Sequence, residues 1–177
     1  MASRSAPHLT PPRAPGALAS GMVRHVPKPP TARGHPAYEE RRDPLAATGE
    51  PLRWGVIATG KIAHTVTAQL TLLEDARLQA VSSRDGVRAA AFATMYGFAA
   101  SYADGFGRTG FEALAADPDV DVVYVATPHG QHHEVIAPLI QARKHVLVEK
   151  AFTVNAREAA DLVAMARDRG VFLMEAL

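Results

Sequence analysis

Residues Leu52 to Ala63, LRWGVIATGKIA, run from an apolar strand into a turn of small residues and then into helix-forming sequence. Few folds accommodate that change. The strand has to be buried in a sheet, and the first N–H groups of the helix point outward without intrahelical partners. Together with the helix dipole these groups favour a negative charge, and small side chains let it approach closely, which is how a dinucleotide pyrophosphate is held. The usual spelling is G-x-G-x-x-G, whereas this chain reads Ala58-Thr59-Gly60-Lys61-Ile62-Ala63. Gly60 is the middle glycine, which lets the pyrophosphate touch the backbone, and Ala63 is an accepted third residue. Ala58 is expected to keep a negative φ, because its Cβ disfavours the left-handed region. Ala58, Thr59, Gly60, Lys61 and Ile62 are thus candidate phosphate contacts. A buried strand–turn–helix with no ligand has the same pattern, so the motif alone does not separate the two.

A chain of 177 residues with 47% hydrophobic content can bury one core. Residues 1–51 carry seven Lys+Arg against four acids, which leaves twelve against fourteen in the remainder. A mildly acidic folded part argues against a nucleic-acid binder, and no apolar run reaches the roughly 18 residues of a membrane span. The absence of cysteine excludes disulfides and thiolate metal sites and fits a soluble, cytoplasmic setting.

Ten of the thirteen prolines precede Leu52, among Arg, Ala, Gly and His with almost no apolar periodicity. Such a segment buries too little surface to offset its ordering entropy, so residues 1–51 are expected to be a disordered extension and 52–177 the folded domain. An acid-poor, arginine-bearing leader also resembles a transit peptide, but Pro7, Pro11, Pro12 and Pro15 break the helix that such a peptide needs. A later start, at Met22 or beyond, accounts for the segment equally well.

From Leu52 onward, β-rich runs alternate with helix-period segments, the pattern of a doubly wound parallel sheet, Rossmann-like, in the α/β class. A helix over about 61–73 places Ile62, Val66, Leu70 and Leu73 on one face. Leu78 to Ser82 is the second strand. The helix from Gly86 to Tyr96 is expected to turn Val87, Ala90, Ala91 and Met95 inward and to end at Gly97. Val120 to Ala126 is apolar enough for a central strand covered on both faces. The next helix begins near Gln131, where Pro138 predicts a kink or a later start near Val135. His145 to Val148 is a strand, Asn155 with Glu158 starts the last helix, Gly170 ends it, and Val171 to Met174 closes the set of six strands.

Gly105-Phe106-Gly107-Arg108-Thr109-Gly110 spells G-x-G-x-x-G to the letter. The preceding Ala99 to Asp104 is too polar and short for a central strand, so this stretch reads as a glycine loop. Cofactor choice is read at the second strand's tip, Ser82-Ser83-Arg84, about twenty residues past the turn. A carboxylate there accepts from the ribose of NAD. Ser83 and Arg84 instead suit the 2′-phosphate of NADP, since guanidinium pairs bidentately with phosphate. NAD remains open, and an arginine solvated beside Asp85 is the plain alternative.

VDVVYVATPHGQHHE, KHVLVEKAFT and FLMEAL, with WGVIATGKIA and AVSSRD, resemble the glucose-fructose oxidoreductase and inositol 2-dehydrogenase family, Gfo/Idh/MocA, from Leu52 to the end. The wording around VEKAFT and FLMEAL is most similar to the dihydrodiol dehydrogenase branch. The resemblance implies an NADP-dependent oxidoreductase that moves hydride between NADP and a hydroxyl or carbonyl carbon of a sugar or dihydrodiol. It implies that Thr127, Pro128 and His129 stand beside the nicotinamide and that His132 is a second polar position. Glu149 and Lys150 then lie next to the reacting carbon, with the Lys150 ammonium stabilising a developing alkoxide. Outside those motifs Lys150 reads as a surface lysine after a strand. His129, His132 and His133 invite a metal reading, but they lack cysteine and a second carboxylate, and Pro128 puts His129 at a strand exit. No metal is expected.

Two departures from the family pattern stand out. Its Glu-Lys-Pro reads Glu149-Lys150-Ala151 here, removing the proline that can hold a cis bond, so Lys150 is expected to be aimed less well. The family's second domain, which contacts the substrate, is not encoded before Leu177. The expectation is a truncated form with little activity alone; a nucleotide-binding module completed by another chain is the alternative. A small-molecule substrate is the expected partner, homo-oligomerisation is left open, and a methyltransferase on a related fold is disfavoured by the Thr-Pro-His and Glu-Lys segments.

Overall fold

The computed structural model describes residues 49–176. The expectation of disorder over residues 1–51 lies almost wholly outside them. Six parallel strands form one sheet in the order β3-β2-β1-β4-β5-β6. They are β1 Leu52–Ile57, β2 Ala76–Ser83, β3 Ala100–Ala103, β4 Val122–Val125, β5 His145–Glu149 and β6 Leu173–Ala176. The helices are α1 Lys61–Leu70, α2 Gly86–Tyr96, α3 Gly110–Ala115, α4 His132–Gln141 and α5 Ala156–Arg169. No helix among the described residues is long and apolar enough to cross a membrane.

The two-residue period of the strands sorts the core. Ile57, Val123, Val125, Val146 and Val148 pack with Leu139 and Ile140 of α4 and Leu162 and Ala166 of α5 on one face. Their neighbours Val56, Val81 and Tyr124 pack with Ala63 of α1 and Phe92 of α2 on the other. All four residues of β4 are buried, as a central strand covered twice requires.

Asn155 caps α5 by accepting from Glu158 N at 2.9 Å, and the left-handed Gly97 and Gly170 end α2 and α5. Three expectations are corrected. α1 stops at Leu70 and buries Ala63, Thr67 and Leu70 while Ile62 is exposed. α2 buries Ala89 and Phe92 and leaves Val87 81% and Met95 65% exposed, because an alanine-rich helix is oriented by its buried Phe92 ring. Pro138 sits inside α4 without delaying its start, and the turn before it, His129–Gln131, is 3-10. α3 was not anticipated: the Thr109–Glu112 capping box starts it within the glycine stretch. Gly110 is needed there, since a Cβ would stand 3.1 Å from Ala103 Cα and from Ser83 O.

At the opposite end of the sheet from the crevice described below, Arg53 clamps the start of β4. Its Nη2 and Nε donate to the two oxygens of Asp121 at 2.8 and 3.0 Å, and Nη1 reaches Asp119 at 2.7 Å. The hydrogen bond from the Arg53 side chain, helped by its main-chain N–H, holds the Asp121 carboxyl below its ordinary range. A carboxyl lowered on folding adds stability above its unfolded pKa of about 3.9 and loses it as the pH falls through the folded value. Urea melts are therefore expected to show wild type losing stability through that acid range. Asp121→Asn should start less stable at pH 7 and lose less on acidification.

Candidate functional site

A crevice of about 330 Å³ opens at the carboxyl ends of β1, β2 and β4. This is the sheet's switch point, because the chain leaves β1 toward β2 on one side and later returns to β4 on the other. Ala58, Thr59 and Gly60 form its floor. Ser83, Arg84 and Arg88 line one wall, Thr127, Pro128, Gln131 and Glu134 the other, and Asp104, Thr109 and Phe111 complete it from the β3–α3 connection.

Gly60 is the N-cap of α1, extended at φ −80°, with no side-chain cap bond and no acid in the first helical turn. A Cβ built there meets nothing within 4 Å, so the helix terminus looks into open space. That arrangement fits an anion. Ala58 has φ 79°, against the expected negative value. Its N–H donates to Ser82 O at 2.9 Å while the chain bends from β1 toward α1, which fixes alanine where glycine normally stands. A lone left-handed alanine costs roughly 1 kcal/mol or somewhat more.

Asp85 does not neutralise Arg84. Its carboxylate caps α2, accepting from Val87 N at 2.8 Å and Arg88 N at 3.2 Å, and lies 3.8 Å from Arg88 Nε. Arg84 and Arg88 thus share one wall of the crevice. Arg88 was not among the expected contacts, although its position four residues after Arg84 was the available signal.

Thr127 leaves β4 with its Oγ1 buried and unpartnered, a hydroxyl ready to bond a ligand. Pro128 lines the crevice with it, whereas His129 is exposed on the 3-10 turn and is not part of the lining. His132 is fully buried and is also not part of the lining. Its Nε2 lies 2.8 Å from Thr127 O, and its Nδ1 lies 3.0 Å from both Ala151 O and Phe152 O. His133 turns away to Asp161, with Nε2 2.7 Å from its carboxylate. Among the described residues no group of three or more His, Cys, Asp or Glu is placed to hold a metal ion.

Lys61 and Ile62 start α1 with exposed side chains outside the lining. Glu149 ends β5 and Lys150 follows it, both outside the lining and Lys150 exposed. Tyr124, which sequence reasoning missed, donates its hydroxyl to Glu149 Oε1 at 2.5 Å, and Lys150 N donates to Oε2 at 3.3 Å. Burial first, and Glu149 second, push the Tyr124 phenol well above its ordinary range, so it stays a donor. It was legible as the single hydroxyl in an otherwise apolar strand. The Lys150–Ala151 peptide bond is cis without a proline.

The parallel sheet, the uncapped helix terminus and the crevice between its walls define a nucleotide-binding Rossmann domain. Residues 52–177 match the oxidoreductase family described by its NAD-binding Rossmann fold, and the chain belongs to that family, Gfo/Idh/MocA. It is 42% identical over 128 residues to a mouse protein named trans-1,2-dihydrobenzene-1,2-diol dehydrogenase, covering 71% of this chain and 37% of that one. The zebrafish protein of the same name is 38% identical, with 71% and 36% covered. Among solved structures, the 3-ketoreductase KijD10 of Actinomadura kijaniata, in complex with TDP-benzene and NADP, is 36% identical with a TM-score of 0.65, over 71% of this chain and 38% of that one. GenD2 from gentamicin A biosynthesis, in complex with NAD, is 30% identical with a TM-score of 0.66, over 74% and 36%. The chain spans a little over a third of the length of these relatives.

Proposed function

We propose that the crevice binds NADP and that the protein serves hydride transfer between this cofactor and a hydroxyl-bearing or carbonyl carbon of a sugar or dihydrodiol. The observation that carries the reading is the uncapped terminus of α1 at Gly60, facing a wall that bears Arg84 and Arg88. On this reading the amides from Thr59 to Ile62 hold the pyrophosphate, and Ser83, Arg84 and Arg88 hold the 2′-phosphate. Thr127 and Pro128 border the nicotinamide, which supplies the hydride chemistry when bound. His129, exposed beside them, and Lys61 at the start of α1 lie within reach of the same ligand.

Glu149 and Lys150 take the substrate side. The exposed Lys150 ammonium would stabilise negative charge on the substrate oxygen, with Glu149 held by Tyr124 behind it. By name, one relative acts on a dihydrodiol, and another, a 3-ketoreductase, is bound to a TDP compound. We assign the same small-molecule class here.

Arginine-to-alanine variants test the cofactor assignment. Arg84→Ala and Arg88→Ala should each weaken NADP about tenfold or more, the weight of a charge-assisted bond, and leave NAD within about twofold. Direct titration of both coenzymes measures this. Equal losses for NAD and NADP, or tighter NAD binding by wild type, would remove the preference for NADP.

A further inference from the structure

We propose that Asp104 selects the base of the dinucleotide, its carboxylate accepting a hydrogen bond from the 6-amino group of adenine. The proposal rests on the dinucleotide reading and carries it one strand further. That reading puts the pyrophosphate after β1, the nicotinamide beside Thr127 after β4 and the 2′-phosphate beside Arg84 after β2. The sheet order β3-β2-β1-β4 then leaves the end of β3 for the base. Ala103 pairs with Ser83, so Asp104 follows β3 where Arg84 follows β2, and both line the crevice.

Three residues of the β3–α3 connection line that corner. Phe111 offers an apolar surface. Thr109 uses its hydroxyl in the capping box, donating to Glu112 Oε2 at 2.8 Å and accepting from Glu112 N at 3.3 Å. Asp104 differs from both. Its Oδ1 accepts from Gly110 N at 2.8 Å, and among the described residues its Oδ2 has no hydrogen bond. No salt bridge among these residues joins it to Arg84 or Arg88. The turn between Asp104 and Gly110 fixes the carboxylate. Gly105 and Arg108 exchange main-chain hydrogen bonds at 3.0 and 3.2 Å around the left-handed Phe106 and Gly107, a two-residue hairpin turn. That reversal brings Gly110 N back to Asp104, so the stretch that spells the glycine motif holds a carboxylate and not a phosphate. A carboxylate accepts and cannot donate. It therefore suits the amino group of adenine and opposes the oxygen that hypoxanthine carries in the same place.

Titration of NADP and of its hypoxanthine analogue, deamino-NADP, into the full chain tests the assignment. Wild type should bind NADP about tenfold or more tightly than the analogue, the weight of a hydrogen bond to a charged group. Asp104→Asn should bring the ratio to about one or invert it. The new amide keeps its oxygen on Gly110 N, because its NH2 cannot accept, and so presents a donor where the unused oxygen stood. Loss of the negative charge acts on both forms alike and cancels in the ratio, and a merely structural role would weaken both together. Equal binding of the two forms by wild type overturns the proposal and leaves the dinucleotide reading standing. A folded variant that keeps the wild-type ratio also overturns it. Binding of neither form overturns both readings. If Asp104→Asn fails to fold, Asp104→Ala is measured in its place, and its ratio should fall to about twofold or less; an undiminished ratio overturns the proposal.

Discussion

Gly60→Asp is expected to fold like wild type and to lose at least about a hundredfold in NADP affinity, because like charges placed together cost several kcal/mol. Backbone strain does not enter, since Gly60 has φ −80° and a Cβ there meets nothing within 4 Å. Aspartate is a good N-cap and accepts from the first N–H groups of the helix, so the melting temperature should hold or rise by the equivalent of about a few tenths of a kcal/mol. Those same N–H groups are the ones assigned to the pyrophosphate. Stability and affinity should therefore move in opposite directions, which a general disruption cannot produce. Thermal melts with and without NADP check both. A variant that keeps its affinity would show that the phosphates lie elsewhere.

Lys144→Ala should have the largest effect on stability, about 3 kcal/mol, or roughly 10 °C in melting temperature for a domain of this size. Lys144 is 7% exposed, and its Nζ donates to Asp117 O at 2.6 Å and Val120 O at 2.7 Å. These bonds pin the loop between α3 and β4 to the start of β5. Burial pushes the ammonium below its ordinary range, partly offset by Asp117 and Asp121. Truncation to alanine removes the packed stem and leaves both carbonyls short of a donor. Lys144→Met keeps the stem and should lose less. Chemical denaturation of the three proteins gives the order, and equal stability of alanine variant and wild type would contradict it.

The sequence made the sheet readable because strands covered on both faces are apolar throughout. Val122 to Val125 and the caps at Asn155, Gly97 and Gly170 follow directly from composition and turn chemistry. Helix faces were harder where alanine dominates: in α2 the buried Phe92 decides the orientation, and the exposed Val87 and Met95 carry more apparent hydrophobicity than its alanines. α3 escaped notice because six residues show no period, and only the Thr109–Glu112 pair announces it.

At the crevice, the worse-spelled glycine motif occupies the switch point, and the better-spelled one supplies a turn and the start of α3. Local sequence distinguishes them only through the strand in front. The burial of His132 was hidden for a different reason: its three partners are main-chain oxygens, which no residue type reveals. Arg88 and Tyr124 were visible as residues but meaningful only once β2 and β4 flanked β1 and β5 lay beside β4.

Calorimetric titration of NADP into the purified chain tests the central assignment most directly. The account predicts saturable binding of one cofactor per chain, displaced by adenosine 2′,5′-bisphosphate and weaker for NAD. Absence of heat with either coenzyme, together with an unchanged melting temperature at saturating concentration, would contradict it.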